Sequence, residues 1–467
     1  MIPTAVELVQ GYRAHTISPV EATREALAAI ESHGNAVNAF VLVDADNALA
    51  AARASEARWH AGRPLGPGDG VPTSIKDALW TRGWPTLRGS WLIGEAGPWD
   101  EDAPAVARLR ETGAVLIGKT TTPEYSWKGV TDSPRYGVTG NPWDPTKTAG
   151  GSSGGSAAAV GLGMGVWSVG TDAGGSVRIP AAFTGTVALK ATYGLIPHYP
   201  PSPFGTLAHP GPMTTTVADT AALLDVITGF DARDWSAMPT PSGSFLAGLD
   251  AGVDGLRVAF SPNLGFVRND PEVDAAVRAA VTVLADAGAR IDEVDPGFTD
   301  PLEAFHVLWF SGAAKVLQAY GREVDDRVDP GLRRIAAVGA GYSASDYLDA
   351  MAVRMQLGQL MGRFHQQYDV LVTPTLPLPA FTGGRDVPEG WPSPDWATWT
   401  PYTYPFNMTQ QPALSLPCGF TSTGLPIGLQ IVGPRHADAM VLKVGRAYES
   451  ATDWHRRTPT VMAQGVR

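Results

Sequence analysis

Gly150-Gly-Ser-Ser-Gly-Gly-Ser-Ala157 and, after a short apolar run, Gly170-Thr-Asp-Ala-Gly-Gly-Ser176-Val-Arg178-Ile-Pro180 are the most informative stretch of this 467-residue chain. Glycine adopts positive φ and lets a backbone approach a ligand closely. Successive N–H groups in such a loop converge and favour an anion there. Ser176, at the end of Asp172-Ala-Gly-Gly, therefore joins a nucleophilic hydroxyl to several adjacent N–H donors, the arrangement an oxyanion hole needs. Taken singly, either segment is also what a Gly-Ser surface turn looks like.

Around this stretch, short apolar runs alternate with helical patterns. Strand candidates are Pro72 to Ile75, Ala114 to Ile117, Val166 to Val169, Leu256 to Phe260, Val370 to Thr373 and Gly428 to Val432. Helical patterns fill Ala105 to Thr112, Val217 to Ile227, Pro271 to Ala287, Ser343 to Gln367 and Ala437 to Ser450. That alternation marks an α/β sheet. The front of the chain is helical: Ser18-Pro19-Val20-Glu21 is a capping box with proline at the first helical position, opening a helix to about Ser32. A second helix runs from about Asp46 to His60. Two segments read as insertions or lids, Asp231 to Asp250 and Ala380 to Asn407; the latter holds Trp391, Trp396, Trp399, Tyr402, Tyr404 and Phe406. With no repeat and no shift in composition, the expectation is a single domain over 1–467, with N-terminal helices to about 66, a core from about 67 to 230, and a remainder from 231 completing the sheet and pocket.

Composition excludes several classes. The net charge of −11 repels phosphate backbones, so no nucleic-acid partner is expected. A single cysteine, Cys418, rules out an internal disulfide and a zinc ribbon and points to a reducing, cytoplasmic setting. Met1-Ile-Pro-Thr-Ala-Val-Glu-Leu lacks the pattern of a signal peptide. The most apolar run, Ala157 to Val169, falls short of the ~20 residues that span a bilayer, so no membrane partner is expected either. Glycine and proline, 53 and 39 residues, are enriched, yet 14 Trp and 14 Phe argue for a packed protein.

Two motif matches are weakened by context, and the second stays as a rival reading. Gly113-Ala-Val-Leu-Ile-Gly118-Lys119-Thr120 fits the P-loop pattern, but its spacer is a buried strand and Pro123 disfavours the helix that should hold phosphates. Gly151-Ser152-Ser153-Gly154-Gly155 fits the nucleophile elbow of an α/β-hydrolase esterase with Ser153 as nucleophile; the polar turn Asp144-Pro-Thr-Lys-Thr-Ala149 stands where its strand should be. The nine histidines form no metal-binding pattern, so no metal or other cofactor is expected. His198 and His209 flank a proline-rich loop and either line a pocket or cap a turn.

A serine nucleophile needs a base. Lys76, in Gly70-Val-Pro-Thr-Ser-Ile-Lys-Asp-Ala78, offers one: on a strand it shares a face with Ser74 and Ala78 while Asp77 points away. A lysine among small residues with no carboxylate on its own face loses its proton on burial, although most lone lysines are solvated.

Together these segments resemble the amidase signature family, with its Ser-cisSer-Lys triad. The likeness covers Gly70 to about Gly229, including Gly211-Pro-Met and Val217-Ala-Asp219, and returns at Tyr368-Asp-Val-Leu-Val-Thr-Pro-Thr375 and from Phe406-Asn-Met-Thr-Gln-Gln-Pro412 to Gly433-Pro434. It implies a large mixed sheet with helices on both faces, and an amidase that turns a small-molecule carboxylic amide, most simply a linear one, into acid plus ammonia or amine. By the resemblance Ser176 is the nucleophile, Ser152 the proton relay behind a cis peptide bond, and Lys76 the base. The N–H groups of Ala173, Gly174, Gly175 and Ser176 form the oxyanion hole, with Ser153, Asp172 and Arg178 as loop supports. Tyr125 and Trp127, in Thr122-Pro-Glu-Tyr-Ser-Trp127, fall where members line the acyl pocket; with the aromatic segment from Trp391 to Phe406 they imply an apolar or aromatic acyl group. A neutral lysine implies activity that rises from about pH 6 into the mildly alkaline range.

Within the family the free-standing amidase branch fits better than the glutamine-hydrolysing subunit of tRNA-dependent amidotransferases. Ile179-Pro180 follows Arg178 where that subunit has a glutamine, and His198 to Pro210 lacks its usual sequence. Thr215 replaces an arginine frequent in both branches, and Gln410 stands where many members have a small residue, which narrows the pocket. A homodimer is the default assembly.

Overall fold

The computed structural model describes residues 3–321 and 326–464. Its strands build one eleven-stranded sheet from β1 (Phe40–Val43), β2 (Pro72–Lys76), β3 (Val115–Thr120), β4 (Trp167–Asp172), β5 (Val187–Lys190), β6 (His209–Thr214), β7 (Arg257–Phe260), β8 (Arg290–Glu293), β9 (Val370–Pro374), β10 (Ala413–Phe420) and β11 (Pro426–Val432). Across the sheet they run β1-β3-β2-β4-β6-β5-β10-β11-β9-β7-β8. Strand β2 is parallel to β3 and β4, and β7 is parallel to β8 and β9; the remaining pairs are antiparallel. The sheet is mixed, as the family resemblance implies.

Side chains on successive strand residues point to opposite faces, and both faces here are buried. Val370 and Val372 join one apolar cluster, with Val277, Leu284, Leu224 and Leu442 from helices on that side. Leu371, between them, joins the other, with Phe305, Trp309, Leu332 and Leu357. Such double burial explains why these strands read as continuous apolar runs. The helices read from the sequence form close to their expected limits: Pro19–Val37 behind the Ser18–Glu21 capping box, Ala45–His60, Val217–Ile227, Pro271–Asp286 and Ala344–Phe364. No helix among the described residues is long and apolar enough to cross a membrane.

Strand β6, not among the strands read from the sequence, begins at His209, where the proline-rich loop ends. It pairs along its length with β4, Thr171 opposite Pro210 and Val169 opposite Pro212, whereas β5 reaches only Met213 and Thr214. Proline donates no N–H, so Pro210 and Pro212 fit where their nitrogens face the side that β5 has left. The match to the P-loop is β3 itself, buried throughout, with Lys119 paired to Asp77 at 3.3 Å.

Two adjacent parallel strands, β2 and β4, end together at the same edge. Ligands of open α/β sheets bind outside such carboxyl ends. Lys76 is the last residue of β2 and Asp172 the last of β4.

Truncating Leu429, fully buried in β11, should lower unfolding free energy by about 2–5 kcal/mol. Pro212→Ala should cost no more than about 1 kcal/mol, because no ladder bond is regained and only chain entropy changes. Urea unfolding of both variants checks this; a stabilised Pro212→Ala would place its nitrogen on the paired side.

Candidate active site

Lys76 is fully buried, and its ammonium nitrogen makes two hydrogen bonds, to Ser152 Oγ at 2.7 Å and to Thr171 Oγ1 at 2.8 Å. Among the described residues no carboxylate lies within ion-pair distance of it. Asp77, the next residue, turns to the other face and receives the N–H groups of Leu87 and Gly89 at 3.1 and 3.4 Å besides pairing with Lys119. Below Lys76 on its own face lie the hydroxyls of Ser74 and Ser168, bonded to each other at 2.9 Å. Burial disfavours the ammonium and pushes the Lys76 pKa well below the usual lysine value, the charge of Asp172 offsetting this only in part. The same burial makes the lysine side chain easier to deprotonate than a solvated one.

Ser152 follows a cis Gly151–Ser152 peptide bond. A side chain at Gly151 would run into the backbone of Val130, so only glycine lets the two segments lie this close. Ser153 is buried, and its hydroxyl is spent on β4: it donates to Thr171 O at 3.1 Å and accepts from Thr171 N–H at 3.3 Å. A helix, Gly154–Gly161, does follow it, but turns precede it rather than a strand. The nucleophile-elbow reading of Ser153 thus lacks both its strand and a free hydroxyl.

The loop after β4 is organised by one buried ion pair. Arg178 reaches Asp172 through Nε at 3.0 Å and Nη2 at 3.0 Å, and is completed by Gln430 Oε1 at 2.8 Å and Asn407 Oδ1 at 2.6 Å. Burial alone would raise the Asp172 pKa, but the Arg178 charge and hydrogen bonds outweigh it and hold the carboxyl well below the usual range. Asp172 also accepts the N–H groups of Gly175 at 2.8 Å and Val177 at 3.2 Å, curling the loop about itself. This corrects one expectation: the Gly175 amide is committed to Asp172, which leaves those of Ala173, Gly174 and Ser176 for an oxyanion. Asn407 and Gln430 were not singled out in the sequence, nor was Thr171, the second hydroxyl on the Lys76 nitrogen.

Ser152, Thr171, Ala173 and Ser176 line one narrow cleft, together with Ala78, Arg88, Tyr125, Ser126, His198 and Phe204. Its residues come from five separate stretches of sequence: 78–88, 125–126, 152, 171–176 and 198–208. Tyr125 is thus in the cleft, where its hydroxyl donates to that of Tyr320. Trp127 is not. It lies 1% exposed in the core, its carbonyl accepting Trp309 Nε1–H at 3.0 Å, its ring so close to Gly331 that a side chain there would clash. The aromatic segment is no lid: Trp396, Trp399, Tyr402, Tyr404 and Phe406 are buried, with Phe305 stacked on Tyr404 and Phe183 on Trp399. It forms a floor beneath the loop that carries Ser176, where a side chain at Gly174 would meet Trp396 at 2.8 Å and one at Gly175 would meet Thr403 at 2.5 Å. Gln410 does not narrow the cleft; it borders a separate cavity beside Arg354. His198 lines the cleft, and His209 is buried in β6 with Nδ1 against the carbonyls of Asp172 and Leu207. Among the described residues no group of three or more His, Cys, Asp or Glu is placed to hold a metal ion.

The Amidase family profile matches residues 21–442. A glutamyl-tRNA(Gln) amidotransferase subunit from Myxococcus xanthus is 39% identical over 97% of this chain and 98% of its own. An acylamidase of Rhodococcus erythropolis is 36% identical over 98% of this chain and 97% of its own. Among solved structures, a bacterial aryl acylamidase of the amidase signature family superimposes with a TM-score of 0.89 at 29% identity, covering 97% of each chain. The chain belongs to the amidase signature family. It is accordingly a hydrolase of carbon–nitrogen bonds.

Asp172→Asn should remove about 3–5 kcal/mol of stability, because Arg178 then stays buried without its counter-charge. Denaturant unfolding measures it. Unchanged stability would show that something other than this pair holds the loop.

Proposed function

We propose that the protein hydrolyses a carboxylic amide through a seryl acyl-enzyme, with Ser176 as nucleophile, Ser152 as relay and Lys76 as base. One observation carries the reading: a buried lysine amine, with no carboxylate partner among the described residues, stands 2.7 Å from a serine hydroxyl that shares a cleft with Ser176.

Ser176 Oγ attacks the carbonyl carbon as its proton passes to Ser152, which gives its own to the neutral Lys76 amine. The carbonyl electrons move to oxygen, and the N–H groups of Ala173, Gly174 and Ser176 receive that oxyanion; Asp172 and Arg178 keep the loop in place for it. Collapse breaks the C–N bond, and the departing nitrogen takes a proton from Ser152, which is refilled from Lys76. Water then attacks the ester, yields its proton along the same chain, and releases the acid and Ser176. Every proton returns to its starting place, and the reaction needs no cofactor.

The enzyme works, in this reading, as a free-standing hydrolase of a small linear amide. The acylamidase similarity over essentially both full lengths supports it, as does Ile179-Pro180 after Arg178. The buried free thiol of Cys418 suits a cytoplasmic site of action. A second reading, a glutamine-hydrolysing amidotransferase subunit, is favoured by the 39% identity to the Myxococcus protein. It predicts hydrolysis that depends on added partner subunits, whereas the free-standing enzyme cleaves amides alone.

A fluorophosphonate probe should label Ser176, as located by peptide mass spectrometry, and Lys76→Ala should slow labelling and turnover by on the order of a hundredfold or more. An adduct on Ser153 instead would overturn the assignment. The depressed Lys76 pKa also fixes the sign of the pH dependence. Protonated lysine is inactive, so kcat/KM should climb as pH rises through that pKa and then level off. A profile with its maximum near about pH 5 would contradict a lysine base.

A further inference from the structure

Arg88 stands in the wall of the Ser176 cleft, and among the described residues no hydrogen bond or ion pair reaches its guanidinium. That is unusual in a chain whose 46 acidic residues outnumber its 35 lysines and arginines. The carboxylates around the cleft are committed elsewhere. Asp77 holds Lys119 and two backbone N–H groups, Glu124 receives Ser90 Oγ–H at 2.5 Å and Asp329 N–H at 2.7 Å, and Asp234 receives the backbone of His198 and Ser236.

The position of Arg88 is built rather than incidental. Its backbone is left-handed, φ 51°, between the Leu87 and Gly89 amides that Asp77 clamps, and its carbonyl accepts Tyr125 N–H at 2.8 Å. Tyr125 (φ 51°) and Ser126 (φ 59°), on the same cleft wall, are left-handed too. Such conformations are unfavourable for non-glycine residues and cluster where a site is being shaped. Burial, and after it the Arg88 charge, lowers the pKa of His198 to about 4, so His198 is neutral near pH 7. Burial disfavours the charged form of Lys76 as well, and Lys76 is not among the residues lining the cleft. Arg88 is then the one cation that this cleft offers among the described residues.

We propose that Arg88 binds a carboxylate carried by the substrate, so that the amide hydrolysed is an anionic one, such as the monoamide of a short dicarboxylic acid or an N-acyl amino acid. A guanidinium forks onto a carboxylate with two parallel hydrogen bonds, which no neutral amide reproduces. This rests on the hydrolase reading above and names its substrate class, replacing the purely apolar acyl group expected from the aromatic residues, most of which the structure buries elsewhere.

The test measures binding without turnover. Ligand-observed NMR on the full-length Ser176→Ala protein compares succinamate, glutaramate and N-acetyl-β-alanine, each with an uncharged isostere. At least one anion should bind tenfold or more tightly than its isostere, in line with a charged hydrogen bond. Arg88→Gln should collapse that ratio, and Arg88→Lys should keep part of it. The ratio is taken within each variant, so differences in overall affinity do not enter. No preference for any anion, or one that survives Arg88→Gln, overturns the proposal. Anion preference in a protein whose Ser176 takes no fluorophosphonate would sink the catalytic assignment and leave Arg88 standing.

Discussion

A buried amine with no counter-ion among the described residues is the constraint on which this site depends. Transferring an ammonium into a protein interior costs several kcal/mol, and a partner carboxylate normally offsets it. Lys76 has two hydroxyls instead, Ser152 and Thr171. The nearest carboxylate in the catalytic loop, Asp172, is held by Arg178, Asn407 and two backbone N–H groups. Were Arg178 absent, Asp172 would be the natural partner for Lys76, and the lysine would stay charged. The ion pair beside the site thus keeps the Asp172 carboxylate from pairing with Lys76.

The fold supplies this separation cheaply. Strands β2 and β4 are neighbours and parallel, so Lys76 and the Thr171–Asp172 pair meet at one sheet edge, and strand alternation sends Thr171 to the lysine and Asp172 to the arginine. The glycine-rich segments let two further layers close on that edge. One is the backbone of Val130 behind Gly151; the other is the Trp396 and Phe305 floor behind Gly174. Core and site are continuous here, since the apolar cluster that covers one sheet face also fixes the loop that presents Ser176.

Much of this was legible in the sequence where the signal is local. Apolar runs located β2, β3, β4, β7, β9 and β11, and the Ser18–Glu21 box located a helix start, because these depend on nearby residues. Facing alternation on Pro72–Lys76 separated Lys76 from Asp77 correctly. What was missed depends on contacts distant in sequence. Strand β6 hides behind two prolines that matter only if both neighbouring strands are known. Trp127 and the segment around Trp396 look the same in sequence whether they line a cleft or a core, and the structure puts them in the core. Asn407 and Gln430 reach Arg178 from more than 200 residues away, a separation that no spacing rule detects. Arg88 had no motif at all; its interest is the absence of a partner, which only three-dimensional structure displays.

The proposed mechanism needs Lys76 neutral in the folded enzyme. Lysine labelled at 13Cε, with the Lys76 signal assigned by its loss in Lys76→Met, reports the charge directly through its chemical shift across a pH titration. The account predicts that Lys76 shows the shift of a free amine at pH values where surface lysines are still ammonium. A Lys76 signal that titrates with the surface lysines, near about 10.4, would contradict it.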